Sequence, residues 1–126
     1  MVNRWGRRVV LVVEDESINF FYLNELLSDK GLILINAKSG EEAIALCTTN
    51  PNIDLVLMDI QLPGISGYEA AQKIKAIRKE LPIIAQTAHF LNGEKRKSIK
   101  LGCDGYIAKP IDTEELFSIF NKFLSQ

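Results

Sequence analysis

The chain has 126 residues, 47% of them hydrophobic and 25% charged, and its 15 basic and 16 acidic side chains leave a net charge of −1. These are the proportions of one soluble globular domain, long enough to bury a real core. The balance of charge excludes a global field for nucleic acid or anionic membrane, and no apolar run approaches the roughly 18 residues of a membrane span. Residues 1–8 lack the apolar stretch of a secretory signal. Cys47 and Cys103 are isolated and lack metal-ligand spacing, so they read as small buried hydrophobes in a reducing compartment. These features point to the cytoplasm or a cytoplasmic module, and they do not identify a function.

Residues 1–7 carry Trp5, Gly6 and Arg7 without periodicity and read as a lead-in to a domain spanning 8–126. The first strand is expected at 8–13, ending on Glu14-Asp15-Glu16. A helix follows from Ser17 with Phe20, Leu23, Leu26 and Leu27 on one face; Gly31 ends it, and 32–35 make a second strand. Ser39-Gly40-Glu41-Glu42 has the spacing of a capping box and opens a helix whose apolar side is Ala43, Ile44, Leu46 and Cys47. After Asn50-Pro51-Asn52 comes the central strand, where Leu55-Val56-Leu57-Met58 stops on Asp59 and Pro63-Gly64 turns the chain.

A second capping box, Ser66-Gly67-Tyr68-Glu69, predicts a helix striped by Ala70, Ile74, Ile77 and Leu81. Pro82 opens a fourth strand at 83–86, which ends at Thr87. A basic amphipathic segment at 91–101, with Lys95, Arg96, Lys97 and Lys100, reads as a helix; its charges suit a solvated face or an output surface. A fifth strand at 106–108 runs into Lys109-Pro110, and Asp112-Thr113-Glu114-Glu115 caps a last helix. Five strands alternating with five helices predict an α/β domain with a parallel sheet covered on both faces by right-handed crossovers. The flavodoxin-like, doubly wound (α/β)5 order 2-1-3-4-5 is the natural choice, with its switch point between the first and third strands.

Those two strands end in Glu14-Asp15 and in Asp59. Carboxylates converging on one sheet edge repel, and a divalent cation is the usual remedy. Carboxylates, backbone carbonyls and water suit Mg²⁺, with Mn²⁺ as the substitute. The competing reading has Asp15 or Glu16 merely serving the first turn of the helix. Thr87 and Lys109, which end the neighbouring strands, weigh for a site. A carboxylate nucleophile, a divalent metal, an ammonium and a hydroxyl are the parts phosphoryl transfer needs, and a carboxylate can form an aspartyl phosphate.

Taken together, Glu14-Asp15, Met58-Asp59 with Pro63 and Gly67, Thr87-Ala88 and Lys109-Pro110 make the chain resemble a response-regulator receiver domain of two-component signalling over residues 8–125. The resemblance implies that Asp59 accepts a phosphoryl group from a phosphohistidine on a histidine kinase or a histidine phosphotransfer domain. It implies Asp15 as direct Mg²⁺ ligand beside Asp59, Glu14 acting through water, and the backbone carbonyl of Gln61 completing the protein's share. Lys109 would pair with one phosphoryl oxygen and Thr87 hydrogen-bond another. Tyr106 would be the aromatic whose orientation follows Thr87, unless it is simply a half-buried strand tyrosine. Gln61 and His89 occupy the positions that tune phosphoryl lifetime in the family; a helix-start histidine is the plainer reading of His89.

The expected function is therefore a phosphoacceptor switch, acting on its own phosphorylation and dephosphorylation rather than as a turnover enzyme. No direct nucleic-acid binding or membrane insertion is expected of this segment. Glu14-Asp15-Glu16-Ser17-Ile18-Asn19 and Gln86-Thr87-Ala88-His89 are similar to receivers fused to hybrid sensor histidine kinases, so the chain is expected to be a module of one. A stand-alone regulator, a docking pseudo-receiver and an aspartate-nucleophile phosphohydrolase are the alternatives. Against the last, Gln61 stands where that group carries a second Asp.

Overall fold

Apolar residues on both sides of each strand dictate a sheet sandwiched between helices, and that is the architecture of the computed structural model, which describes residues 5–87 and 102–124. The strands are β1 (Val9–Val13), β2 (Ile33–Ala37), β3 (Ile53–Asp59), β4 (Ile83–Thr87) and β5 (Gly105–Ala108). They form one sheet in the order β2-β1-β3-β4-β5, with every pair parallel. Among the described residues four helices cover it: α1 (Ser17–Leu27), α2 (Gly40–Thr49), α3 (Gly67–Ile77) and the C-terminal helix (Thr113–Leu124). The basic segment at 91–101 lies outside the described residues.

Strand alternation sorts the interior into two cores. Leu11, Val13, Val56, Met58, Ile83 and Ala85 face α2 and α3, meeting Ala43, Cys47, Ala70 and Ile74. Val10, Val12, Leu55, Leu57, Ile84 and Ile107 face α1 and the C-terminal helix, meeting Leu23, Leu27, Leu116 and Phe120. Both cysteines are buried and free, and burial pushes each thiol up to about 11, which leaves them unreactive near neutrality.

Local chemistry sets the helix starts. Ser39 Oγ accepts the Glu42 N–H and Ser66 Oγ the Glu69 N–H, each at 3.1 Å. The return bond of the first box goes one residue further out, from Lys38 N–H to Glu42 Oε1 at 2.7 Å. Gly31 takes φ +95° after the short 3₁₀ turn Ser28–Lys30 that follows α1, a conformation that favours glycine.

Two expectations change. Ile77, extrapolated as part of the α3 stripe, is 50% exposed. The helix ends there because Arg78 caps it, with its guanidinium donating to the carbonyls of Asn50, Pro51 and Ile53. Leu81 reaches the core from the turn beyond. Trp5, which lies in the stretch without periodicity, is 1% exposed. Its ring packs edge-on against Phe117 and Phe120, and its Nε1 donates to Asn121 Oδ1 at 2.7 Å.

Trp5 thus joins the chain ahead of β1 to the C-terminal helix. Trp5→Ala should cost about 3–5 kcal/mol in urea unfolding, the range for emptying a buried aromatic site. A loss under about 1 kcal/mol would show that this segment is no part of the cooperative unit.

Candidate functional site

The site forms where β1 and β3 run side by side and deliver their last residues to the carboxyl edge of the sheet. In an open parallel sheet the crevice beyond this switch point is the place for a ligand. Glu14 and Asp59 are buried there, at 1% and 4% exposure, while Asp15 faces solvent. Carboxylate oxygens of Glu14, Asp15 and Asp59 all lie within 4.8 Å of one another. An all-oxygen trio of this kind is the donor set of a hard divalent cation.

Lys109, just past β5, points its ammonium between the two buried carboxylates. Its Nζ is 3.0 Å from Asp59 Oδ2 and 3.2 Å from Glu14 Oε1. The other Asp59 oxygen accepts the Gln61 N–H at 2.9 Å. The other Glu14 oxygen accepts the Glu16 N–H at 3.2 Å and Asn19 Nδ2 at 3.4 Å. Burial raises the Asp59 carboxyl above its ordinary range, outweighing the Gln61 and Lys109 bonds that lower it, while the Glu14 charge raises it further. Burial alone would lower the Lys109 ammonium, but hydrogen bonds and charge from Asp59 and Glu14 prevail and hold it above the ordinary lysine value.

Helix capping does not account for these acids. Glu16 is the N-cap residue of α1 but makes no side-chain cap hydrogen bond, and the first turn of α1 contains no acidic residue.

The backbone frame around the trio is also specific. Asn36 Nδ2 donates to the carbonyls of Val12, Glu14 and Ala37, at 3.0–3.1 Å, and so fixes the exit of β1. Ile60 N–H bonds to the Gln86 carbonyl at 3.0 Å, Lys109 N–H to the Thr87 carbonyl at 2.7 Å, and Gly67 N–H to the Ile60 carbonyl at 3.0 Å. A Cβ at Gly67 would collide with the carbonyl oxygen of Asp59 and stand 2.7 Å from Ile60 Cα. Only glycine lets α3 begin this close to Asp59.

The structure brings Glu14, Asp15, Asp59, Lys109 and the Gln61 amide together. Thr87 ends the adjacent strand and is 1% exposed. Tyr106 is the register partner of Ala85, which places it on the same sheet face as Thr87, partly buried against the α2–α3 core. His89 lies outside the described residues. Sequence reasoning missed Asn36 and Asn19; an asparagine in a strand and another in a helix carry no local signal of what they will meet.

The profile of the response regulator receiver domain matches residues 10–121. The chain is 38% identical over 120 residues to hybrid signal transduction histidine kinase I of Dictyostelium discoideum, covering 89% of itself but only 7% of that protein. It is 34% identical over 117 residues to the polar-differentiation response regulator DivK of Brucella ovis, covering 91% of itself and 94% of DivK. Among solved structures, the receiver domain of Ssk1 from Saccharomyces cerevisiae, crystallised with the histidine phosphotransfer protein Ypd1, is similar at a TM-score of 0.87 and 30% identity, over 95% of this chain and 90% of that one. The receiver domain of sensor histidine kinase PA1611 from Pseudomonas aeruginosa, with magnesium coordinated in its active-site cleft, is similar at 0.85 and 30%, over 96% and 99%. With its fold, its acidic crevice and a profile match over nearly its whole length, the chain belongs to the response regulator receiver domain family of two-component signalling.

Proposed function

We propose that Asp59 is the phosphoacceptor of this receiver, taking its phosphoryl group from a phosphohistidine. The observation that carries this is one ammonium, Lys109, shared by Asp59 and Glu14 inside a carboxylate trio at the sheet edge. An Asp59 carboxylate oxygen attacks phosphorus; the O–P bond forms as the N–P bond breaks, and the departing imidazole takes up a proton. Lys109 then has a phosphoryl oxygen to pair with in place of the carboxylate charge.

Asp15 and Asp59, with Glu14 through water and the backbone carbonyl of Gln61, would hold Mg²⁺ or Mn²⁺. Such an ion supplies positive charge for the transferred group. Thr87 would hydrogen-bond another phosphoryl oxygen and draw Tyr106 with it, so that phosphorylation biases a surface between two states. Gln61, exposed beside Asp59, and His89 are proposed to tune how long the phosphoryl group survives.

The donor should dock on α1. Ile18, Phe21 and Tyr22 are 76%, 62% and 52% exposed, fall on one helix face by their spacing, and lie within one or two turns of Asp15. A histidine kinase or phosphotransfer domain fits this surface, since it must present a histidine to Asp59. The parent protein is proposed to be a hybrid sensor histidine kinase with this domain on its cytoplasmic side. No helix among the described residues is long and apolar enough to cross a membrane.

Incubation with acetyl phosphate and Mg²⁺ should add one phosphoryl group by intact mass. Chelation, Asp59→Asn or Lys109→Ala should abolish the adduct or slow it at least tenfold; an adduct that survives Asp59→Asn would falsify the assignment. Phe21→Ala should slow transfer from a phosphohistidine donor protein about tenfold, roughly 1.4 kcal/mol, while leaving labelling by acetyl phosphate unchanged. Equal slowing with both donors would move the docking face elsewhere.

The raised Asp59 carboxyl also sets a pH dependence in metal-free buffer. With its folded value above the ordinary aspartate value of 3.8, the folded state binds the proton more tightly, so stability falls as pH rises from about 4 through the folded value. Asp59→Asn should therefore melt a few degrees higher than wild type at pH 7, with the gap closing below pH 4. A gap that is constant with pH would refute the burial account.

A further inference from the structure

The loop from Gln61 to Ser66 joins the end of β3, at Asp59, to the start of α3, and it is tied at both ends. Ile60 N–H bonds to the Gln86 carbonyl and Gly67 N–H to the Ile60 carbonyl, each at 3.0 Å, while Ser66 caps α3. Between those ties Leu62 and Ile65 pack against the α2–α3 core. Gln61, Pro63, Gly64 and Ser66 are exposed.

Ile65 has its seat on α2 because residue 40 is glycine. A Cβ at Gly40 would stand 2.7 Å from Ile65 Cγ1, 3.0 Å from Ile65 Cδ1 and 3.1 Å from Ala70 Cβ. The backbone does not ask for glycine here: Gly40 is the first residue of α2 and lacks a positive φ. The contact does. Cδ1 could rotate away, but Cγ1 follows χ1, which a β-branched side chain holds stiffly. Nor can the start of α2 slide, because Ser39 Oγ accepts the Glu42 N–H and Lys38 N–H reaches Glu42 Oε1. The next residue, Glu41, sets both carboxylate oxygens 3.0 and 3.1 Å from where a Gly64 Cβ would stand. Two successive residues of α2 thus meet two successive residues of the loop.

We propose that Gly40 and Ile65 are a positioning pair for the phosphoacceptor site. The bare Cα of Gly40 seats Ile65, Ile65 sets the loop, and the loop aims Gln61. Gln61 N–H donates to Asp59 Oδ1 at 2.9 Å, and the Gln61 carbonyl is the proposed Mg²⁺ ligand. Neither Gly40 nor Ile65 belongs to the carboxylate trio; both act through Gln61. With the loop tied at each end, a methyl at residue 40 displaces Ile65, and the displacement falls on residues 61–64. The metal half of this inference rests on the Mg²⁺ role proposed for Gln61; the Asp59 half does not.

Gly40→Ala and Ile65→Ala form a double-mutant cycle, measured without any phosphoryl donor. In metal-free protein Gly40→Ala should move the NMR resonance of the Gln61 amide. Calorimetric titration with Mg²⁺ should then show an affinity about tenfold weaker, the scale on which residues behind a metal ligand act. In the Ile65→Ala background the same methyl should cost under about twofold, because its two close contacts with residue 65 are gone. Thermal melting checks that each variant is folded. Where Gly40→Ala is not, Ile65→Ala carries the test: it empties the seat and should itself move Gln61 and weaken Mg²⁺. The proposal is overturned if Gln61 does not move, if Mg²⁺ affinity is unchanged, or if the Gly40→Ala penalty is as large with Ala at 65 as with Ile. A wild type that binds no Mg²⁺ while Gln61 still moves would remove the loop's metal role and support the Asp59 half.

Discussion

One ammonium holding two buried carboxylates is the interaction on which this site depends. Asp59 and Glu14 are nearly closed off from solvent, and their charges would drive them apart if Lys109 did not stand 3.0 and 3.2 Å from them. The arrangement is costly to bury, because desolvation opposes the charged form of Asp59 and the single cation is divided between two partners. Such a cluster is weak evidence for stability and better evidence for use. A divalent cation would relieve both costs by adding positive charge beside the carboxylates.

The surrounding backbone makes that cluster possible. Asn36 gathers three carbonyls at the end of β1, and the absent side chain of Gly67 lets α3 start against the peptide that follows Asp59. Neither residue touches the carboxylate oxygens. Both fix where those oxygens point, and in a reaction that relies on positioning this is the protein's main contribution.

The two faces of the sheet divide the labour. Glu14 and Asp59 lie on the side of α1 and the C-terminal helix, whose core also includes Trp5. Tyr106 packs on the α2–α3 side, together with the alternation that carries Ala85 and Thr87. β4 thus presents Gln86 to the face of Asp59 and Thr87 to the face of Tyr106. On the other face, the exposed apolar residues of α1 stand next to the crevice and are available to a partner.

The sequence alone determined the number and type of strands, the two serine-capped helix starts and the sheet order, because these follow from local periodicity, turn chemistry and the short list of allowed crossovers. It also marked Glu14, Asp15, Asp59, Thr87 and Lys109, each sitting at the end of an apolar run. Tertiary structure alone decided that Lys109 is shared by Glu14 and Asp59, that Trp5 belongs to the core, that Ile77 faces out, and that Gln86 lies unpartnered beside Asp59. Those facts join residues as far as 116 positions apart. They depend on register and on where each helix stops, and no stretch of sequence read by itself contains the residue it will meet across the sheet.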